Sequence, residues 1–472
     1  MNIVVVGGGT AGWIAAYYIC KSQPGKHKIT VVESSSIGII GAGEGSTQSL
    51  VQILDGSYFN FKVDILDFME KTDATPKMGI RHTGWNASRE SYFAPLDFSP
   101  SGFTLDDYIF KYVFSKEGKE RMHCASAIGI EYSKQKINNV YALHFDGHKV
   151  GKYFKDLCSK DGVTVVDSVV DDVVVDDAGD ITSIILKNNI KLDGDMFIDC
   201  TGFARVLMKK LDVPWVSKKE FLPMNSAMPF LVPYKENEFV VPETGATALS
   251  AGWMWNIPLK TRRGCGYVYD STYISKEEAK QEVEDLLGHE IQPIKYIDFD
   301  SGYSEHFLKS NVLCLGLSSS FVEPLEATSI HNTIMQVAVF VSECLTPDKA
   351  STFNQSNEDM YNTRIKFLMD LTVDFISLHY QGGRQDTPFW KNISDNKVGT
   401  PWALETAKRA KEKIPGYTSF QGMYGSFSMP LANWILAGLD IIKPEQARRE
   451  LLHTKDIDSV KKQYTDFYNS IV

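Results

Sequence analysis

The sequence predicts an α/β protein: a Rossmann-like dinucleotide domain with an inserted and C-terminal, largely helical second domain. Three observations carry this. The apolar run Ile3-Val4-Val5-Val6 feeds the turn Gly7-Gly8-Gly9-Thr10-Ala11-Gly12. A helical stretch then reaches Lys21, and a second apolar run ends on Glu33. Valine-rich runs recur far downstream, at 164–176, 181–187 and 195–202, with another apolar run at 311–316. Strand, glycine turn, helix and strand in that order make a βαβ start.

Taken in order, residues 3–6 are a buried strand, 11–21 a helix and 27–33 a strand closed by an acid. A second glycine-rich stretch covers 38–46. Val150, Phe154 and Leu157 have the spacing of an amphipathic helix over 146–159. The runs 164–176 and 181–187, hinged by Ala178-Gly179-Asp180, read as a meander beside a parallel sheet. Segment 311–316 is another strand, and 328–344 another helix. The nucleotide domain is thus assembled from 1–60, 140–203 and 311–345. The second domain takes 61–139, 204–310 and 346–472. No internal repeat or low-complexity segment interrupts this plan.

Composition narrows the function. The 472 residues allow a large core, and 43% apolar with 23% charged residues is ordinary for a globular protein. A net charge of −10 without a basic run argues against nucleic acid and anionic membrane as partners. No apolar stretch is long enough to span a bilayer, and no basic segment precedes the first strand. Seven cysteines without a CxxC pair fit reduced thiols, hence a cytoplasmic location, and no zinc site. His144, Asp146 and His148 suggest a metal by type only. With no fourth ligand at a matching spacing, they read as capping and packing residues, so no metal is expected. A dimer is the general expectation for an enzyme of this size.

The glycine turn supplies the first chemistry. Gly7, Gly9 and Gly12 permit a tight turn and close approach of backbone to pyrophosphate. Thr10 and Ala11 open the helix, whose N-terminus favours that negative charge. Glu33, about 20 residues on, is placed to accept adenosine ribose hydroxyls, with Ser34 beside it. One fingerprint and no second nucleotide motif point to FAD over NAD. Gly202, closing the strand 197–202, is the second feature typical of FAD proteins. Without an NAD(P)H site of its own, the chain would receive reduced flavin from a separate reductase.

Several segments resemble the flavin-dependent tryptophan halogenase family, and they span residue 3 to about 440. Gly41-Ala42-Gly43-Glu44-Gly45-Ser46-Thr47 resembles the family's GxGE strap between flavin and active site. Thr75-Pro76-Lys77-Met78-Gly79-Ile80-Arg81, followed by Trp85, resembles the stretch carrying its catalytic lysine. Trp253-Met254-Trp255-Asn256-Ile257-Pro258 matches WxWxIP, and 316–328 resembles the run ending in EPLEST. Asp386-Thr387-Pro388-Phe389-Trp390 recurs in the tail.

The resemblance implies an FAD-binding domain of the GR2 type. It also implies a reaction in which reduced FAD, oxygen and halide give hypohalous acid, consumed at Lys77 by an electron-rich aromatic ring. Gly8, Gly43, Glu44, Gly45, Leu317 and Ile330 would join the flavin site. Backbone N–H groups of Thr328 and Ser329, at a helix start, would hold the halide. Thr328 also reads as an ordinary N-cap. The family usually has glycine at 329 and serine at 327. Ser329 and Ala327 therefore suggest tolerance of bromide or iodide besides chloride.

Lys77 would be catalytic, as an ammonium that polarises the oxidant or as an amine that forms a haloamine. Arg81, one helical turn beyond it, reads as structural or electrostatic. Glu326 would orient the oxidant or take the ring proton, although a first-turn glutamate is its plain reading. Trp253, Trp255, Ile257 and Pro258 would wall a tunnel that keeps the ring off the flavin. The region 419–430 lacks a recognisable amino-acid clamp, so free tryptophan stays open beside a broader or different electron-rich aromatic, such as an indole, a phenol or a pyrrole. Tyr92, Phe93, Tyr424 and Phe427 are candidates for its pocket. A flavin hydroxylase and a non-catalytic flavin-binding protein are the alternatives. WxWxIP speaks against the first, and Lys77 with Glu326 against the second.

Overall fold

The computed structural model describes residues 1–37, 43–57, 61–96, 110–112, 114–115, 141–187, 189–416, 427, 429–453 and 457–471. Asn2–Val6 lies inside a six-stranded sheet, parallel to Lys28–Glu33 on one side and Met196–Asp199 on the other. Thr164–Asp167 and Val312–Cys314 extend it in parallel, and Leu308–Lys309 adds an antiparallel edge. Strands buried on both faces need continuous apolar runs, which Ile3 to Val6 and Ile29 to Val32 supply. The helix Thr10–Ser22 buries Trp13, Ile14, Tyr17 and Tyr18 against this core.

The run 164–176 is not one strand. Ser168 N donates to the Glu33 carbonyl, after which the chain leaves the parallel sheet. Val170–Val175 instead pairs antiparallel with Ile181–Leu186, which pairs with Lys191–Asp193. This meander keeps the expected Gly179 turn, tied by Asp176. The expected helix at 146–159 is Gly147–Lys160. Asp146 caps it by accepting from the His148 and Lys149 amides, the capping role read from sequence. The helix expected at 328–344 is α-helical over Thr328–Val339 and ends in a π turn, Phe340–Cys344.

The helical character expected of the inserted and C-terminal segments holds for the tail. There Gln355–Leu378, Pro388–Asp395, Pro401–Ala410 and Met429–Gly438 are helices. The inserted segments instead build a seven-stranded sheet from Ser226–Pro233, Thr244–Ala248, Gly252–Pro258, Arg262–Tyr269, Ile297–Asp298, Gly79–Thr83 and Ser91–Pro95. Their alternation is of the strand type: Trp253, Trp255 and Ile257 share one face of Gly252–Pro258. Gly266 lies opposite Trp255, where any Cβ would fall 2.1 Å from the indole.

A third assembly matters most for chemistry. Ala142–Phe145 runs between Glu44–Gly45 and Thr75–Lys77, antiparallel to both. It joins the glycine-rich strap to the lysine segment.

Candidate active site

At the glycine turn, two residues cannot carry a side chain. A Cβ on Gly7 (φ 113°) would lie 2.2 Å from the Cys200 carbonyl oxygen, and one on Gly12 would lie 2.0 Å from that of Gly7. Both close approaches bring strand and helix together. A Cβ on Gly9 meets nothing within 4 Å, so this side of the turn is open, as a pyrophosphate would require. A Cβ on Gly8 would strike the Glu33 carboxylate at 2.2 Å. Glu33 accepts from Trp13 Nε1 at 3.1 Å and pairs with Lys155. Its oxygens keep further lone pairs for hydroxyl donors. Ser34 Oγ bonds to Ser36 Oγ, and Thr10 Oγ1 donates to the Gly147 carbonyl. Gly316, with Leu317 next in chain, packs on Ala11, and Ile330 is buried in the helix Thr328–Val339. These residues fit a dinucleotide.

Of the strap, Gly43, Glu44 and Gly45 are described; Gly41 and Ala42 lie outside the described residues. Glu44 sits against the start of the helix Gly147–Lys160, where a Cβ on Gly147 would overlap its carboxylate at 1.9 Å. Burial, and then Asp146, push its pKa up to about 7. Gly45 is the narrow point: a Cβ there would lie 3.2 Å from Ala327 Cβ and 3.5 Å from Lys77 Nζ. Segments 45, 77 and 327, far apart in sequence, thus converge.

Lys77 is 1% exposed. Its ammonium donates to the Ser46 carbonyl at 3.1 Å. Burial drives its pKa down to about 8, with the charge of Glu326 opposing the fall. Arg81 is not one helical turn beyond it. The two residues lie in separate strands, Thr75–Lys77 and Gly79–Thr83, of different sheets. Strand backbone carries Arg81 away to a two-point pair with Glu243 at 2.6 and 2.9 Å, the structural role read from sequence.

Glu326 is not a first-turn glutamate. It sits in the 3-10 turn Leu325–Ala327 with φ 64°, followed by Ala327 at φ 56°. Two consecutive left-handed residues without glycine are strained. They turn the chain so that Ala327, not Thr328, takes the N-cap position. Thr328 therefore does not cap: its buried Oγ1 has no hydrogen-bond partner among the described residues. The N–H groups of Thr328 and Ser329 open the helix, as an anion site requires.

Sequence reasoning missed four residues here. Glu326 Oε1 lies 3.0 Å from His379 Nε2, and His379 Nδ1 lies 2.9 Å from the Phe375 carbonyl. His82 Nε2 is 3.7 Å from the same oxygen. His82 is fully buried, stacks on Tyr92 at 4.8 Å and, among the described residues, makes no well-formed hydrogen bond at either ring nitrogen. Burial, then His379 and Lys77, hold it neutral, well below the usual histidine range. Tyr380 donates to Glu323 at 2.6 Å. Glu323 is pushed up to about 7 by burial, opposed by Tyr380 and the nearby Trp253 indole. Adjacent residues 379 and 380 thus hold both glutamates of the 323–326 run. The available signal was their place just before the recurring 386–390 segment. His82, Glu326 and His379 are of metal-ligating types, their ligand atoms within 4.8 Å of one another. The hydrogen bond to His379 and the neighbouring Lys77 account for that convergence without an ion.

Trp253 is buried and Trp255 half-buried, their rings 6.4 Å apart. The Pro258 carbonyl accepts from Thr75 Oγ1 at 2.5 Å, tying this motif to the lysine strand. His144 bridges Thr75 and Thr244. In the tail, Trp390 Nε1 donates to the Leu249 carbonyl at 2.7 Å. Phe93 packs beneath Arg81 and Phe427 stacks on Phe375. Tyr424 and most of 419–430 lie outside the described residues.

Three comparisons bear on this arrangement. The family model described as tryptophan halogenase matches residues 2–453. The tryptophan 6-halogenase of Streptomyces toxytricini is 30% identical, over 99% of this chain and 97% of its own. The 7-chloro-L-tryptophan 6-halogenase of a Kutzneria species is 33% identical over 83% of this chain and 81% of its own. The crystal structure of the S. toxytricini enzyme superposes with a TM-score of 0.88, covering 100% of this chain and 96% of that one.

Proposed function

This chain belongs to the tryptophan halogenase family, and from that premise we propose that it halogenates an electron-rich aromatic ring beside Lys77 and Glu326. The supporting observation is Lys77 itself. A fully buried lysine is costly unless used, and this one bonds to the strap and feels the charge of Glu326. FAD would be held by Gly7 to Gly12, Glu33, Ser34, Gly43 to Gly45, Leu317 and Ile330. Bound in reduced form by supply from a separate flavin reductase, and with oxygen and halide, it furnishes hypohalous acid.

The residues do the rest. Thr328 and Ser329 N–H groups hold the halide. The strand carrying Trp253, Trp255, Ile257 and Pro258 separates ring from flavin, so that only a small oxidant passes. Lys77 donates a hydrogen bond to the hypohalous oxygen, or as an amine carries the halogen. The ring carbon takes the halogen with the bonding pair coming from the ring. When the lysine is an ammonium, the O–X bond breaks toward oxygen. A neutral amine first condenses with hypohalous acid to N–X and water, and the N–X bond then breaks toward nitrogen. Glu326 then accepts the ring proton as aromaticity returns. Segments 1–60, 140–203 and 311–345 would form the flavin domain, and 61–139, 204–310 and 346–472 the substrate domain.

The test is incubation with a flavin reductase, NADH, FAD, oxygen and each halide against a panel of indoles and phenols, read by mass spectrometry. A halide-dependent mass gain, lost in Lys77→Ala, is expected. Oxygen incorporation without halogen would make the chain a hydroxylase. Halogenation unchanged in Lys77→Ala would remove the lysine from the mechanism.

A further inference from the structure

Proton counting at His379 leads beyond the lysine and the glutamate. A carbonyl can only accept, so His379 Nδ1, 2.9 Å from the Phe375 carbonyl, carries its proton. Nε2 then faces Glu326 Oε1 at 3.0 Å, and a contact between these two needs one further proton, held by either group. His379 is buried, its ring packed edge-on against Phe375 and Trp85, so it cannot swing away. Glu326 for its part hangs from a strained backbone.

We propose that His379 is the positioning residue of the site. It shares one proton with Glu326, fixes the carboxylate plane, and occupies Oε1 so that Oε2 is the oxygen left for the reacting groups. The other titratable groups around the pair are Lys77 from strand Thr75–Lys77, His82 from Gly79–Thr83 and Tyr92 from Ser91–Pro95. His82 is neutral, and Tyr92 is held well above the usual phenol range by burial and by Glu326. Lys77 is then the charged neighbour, and His379 supplies the hydrogen bond that none of the others makes to Glu326.

The proposal rests on the halogenase reading for its kinetic arm alone. His379→Phe is expected to lower kcat by about 100-fold, the low end of acid–base contributions, with KM and FAD affinity little changed. His379→Gln, whose amide can still donate to Oε1, should recover at least about tenfold of that loss. The second arm needs no activity. Glu326→Gln should lower Tm more in the wild-type background than in the His379→Phe background, where the carboxylate has already lost its hydrogen-bond partner. Equal shifts in both backgrounds would show that the pair is not coupled and overturn the proposal. Equal kcat in His379→Phe and wild type would do so as well. If the wild type halogenates nothing, the functional reading fails while the Tm arm still decides the pair.

Discussion

Replacing Lys77 by methionine should stabilise the protein while abolishing its chemistry. Burial lowers the lysine pKa from 10.5 to about 8. The unfolded chain therefore binds the proton more tightly than the native one, and stability is lost as pH falls from 10.5 through about 8. Below that the cost is complete, roughly 3 kcal/mol at about 1.36 kcal/mol per pH unit. Methionine matches the chain length and carries no charge. It forfeits the bond to the Ser46 carbonyl, worth about 1 kcal/mol, and leaves Glu326 with His379 as partner. The net gain is about 1–2 kcal/mol at pH 7, or roughly 2 °C in Tm for a chain this long. It should vanish by about pH 10, where the cost of shedding the proton on folding has fallen to about 1 kcal/mol and only offsets the lost bond to Ser46. Thermal unfolding of both proteins at pH 7 and pH 9.5, with halogenation measured alongside, checks both halves. A methionine variant less stable than wild type at pH 7, or a gap that widens with pH, would refute this account of the buried amine.

Three further outcomes are expected. Glu326→Gln removes the charge that opposes the lysine's depression, so the limb of the pH–rate profile due to Lys77 should move to lower pH; a move upward would contradict the geometry. Gly9→Ala should leave Tm unchanged and weaken FAD binding, whereas Gly12→Ala, meeting the Gly7 carbonyl at 2.0 Å, should lower Tm; flavin titration and melting curves separate the two. Competition among chloride, bromide and iodide in one reaction should show uptake of the larger halides, and Ser329→Gly should shift the product ratio toward chloride, measured by mass spectrometry.

The flavin half of this protein could be read in its sequence because it is local. One strand, one turn and one helix put Gly7, Gly12 and Glu33 in register within 33 residues. The strand that puts Trp253 and Trp255 on one face lay, by contrast, in a segment expected to be largely helical. The catalytic half resisted reading because its contacts are long-range. Glu326 and His379 meet across 53 positions, and no local periodicity distinguishes His379 from any other buried helix-end histidine. The left-handed turn at 326–327 was also invisible, since neither glutamate nor alanine advertises that backbone region. Reading Lys77 and Arg81 as helical neighbours failed because a spacing of four does not fix the secondary structure when strand and helix are both short.

The four-residue strand Ala142–Phe145 has a practical consequence. Its two edges hold Gly45 and Lys77 respectively, so the distance between cofactor-side loop and reactive amine is set by the width of a single ribbon. Anyone recombining this protein with its relatives should cut outside 141–146. A crossover within it would mix two partners' spacings between the glycine-rich strap and the lysine strand.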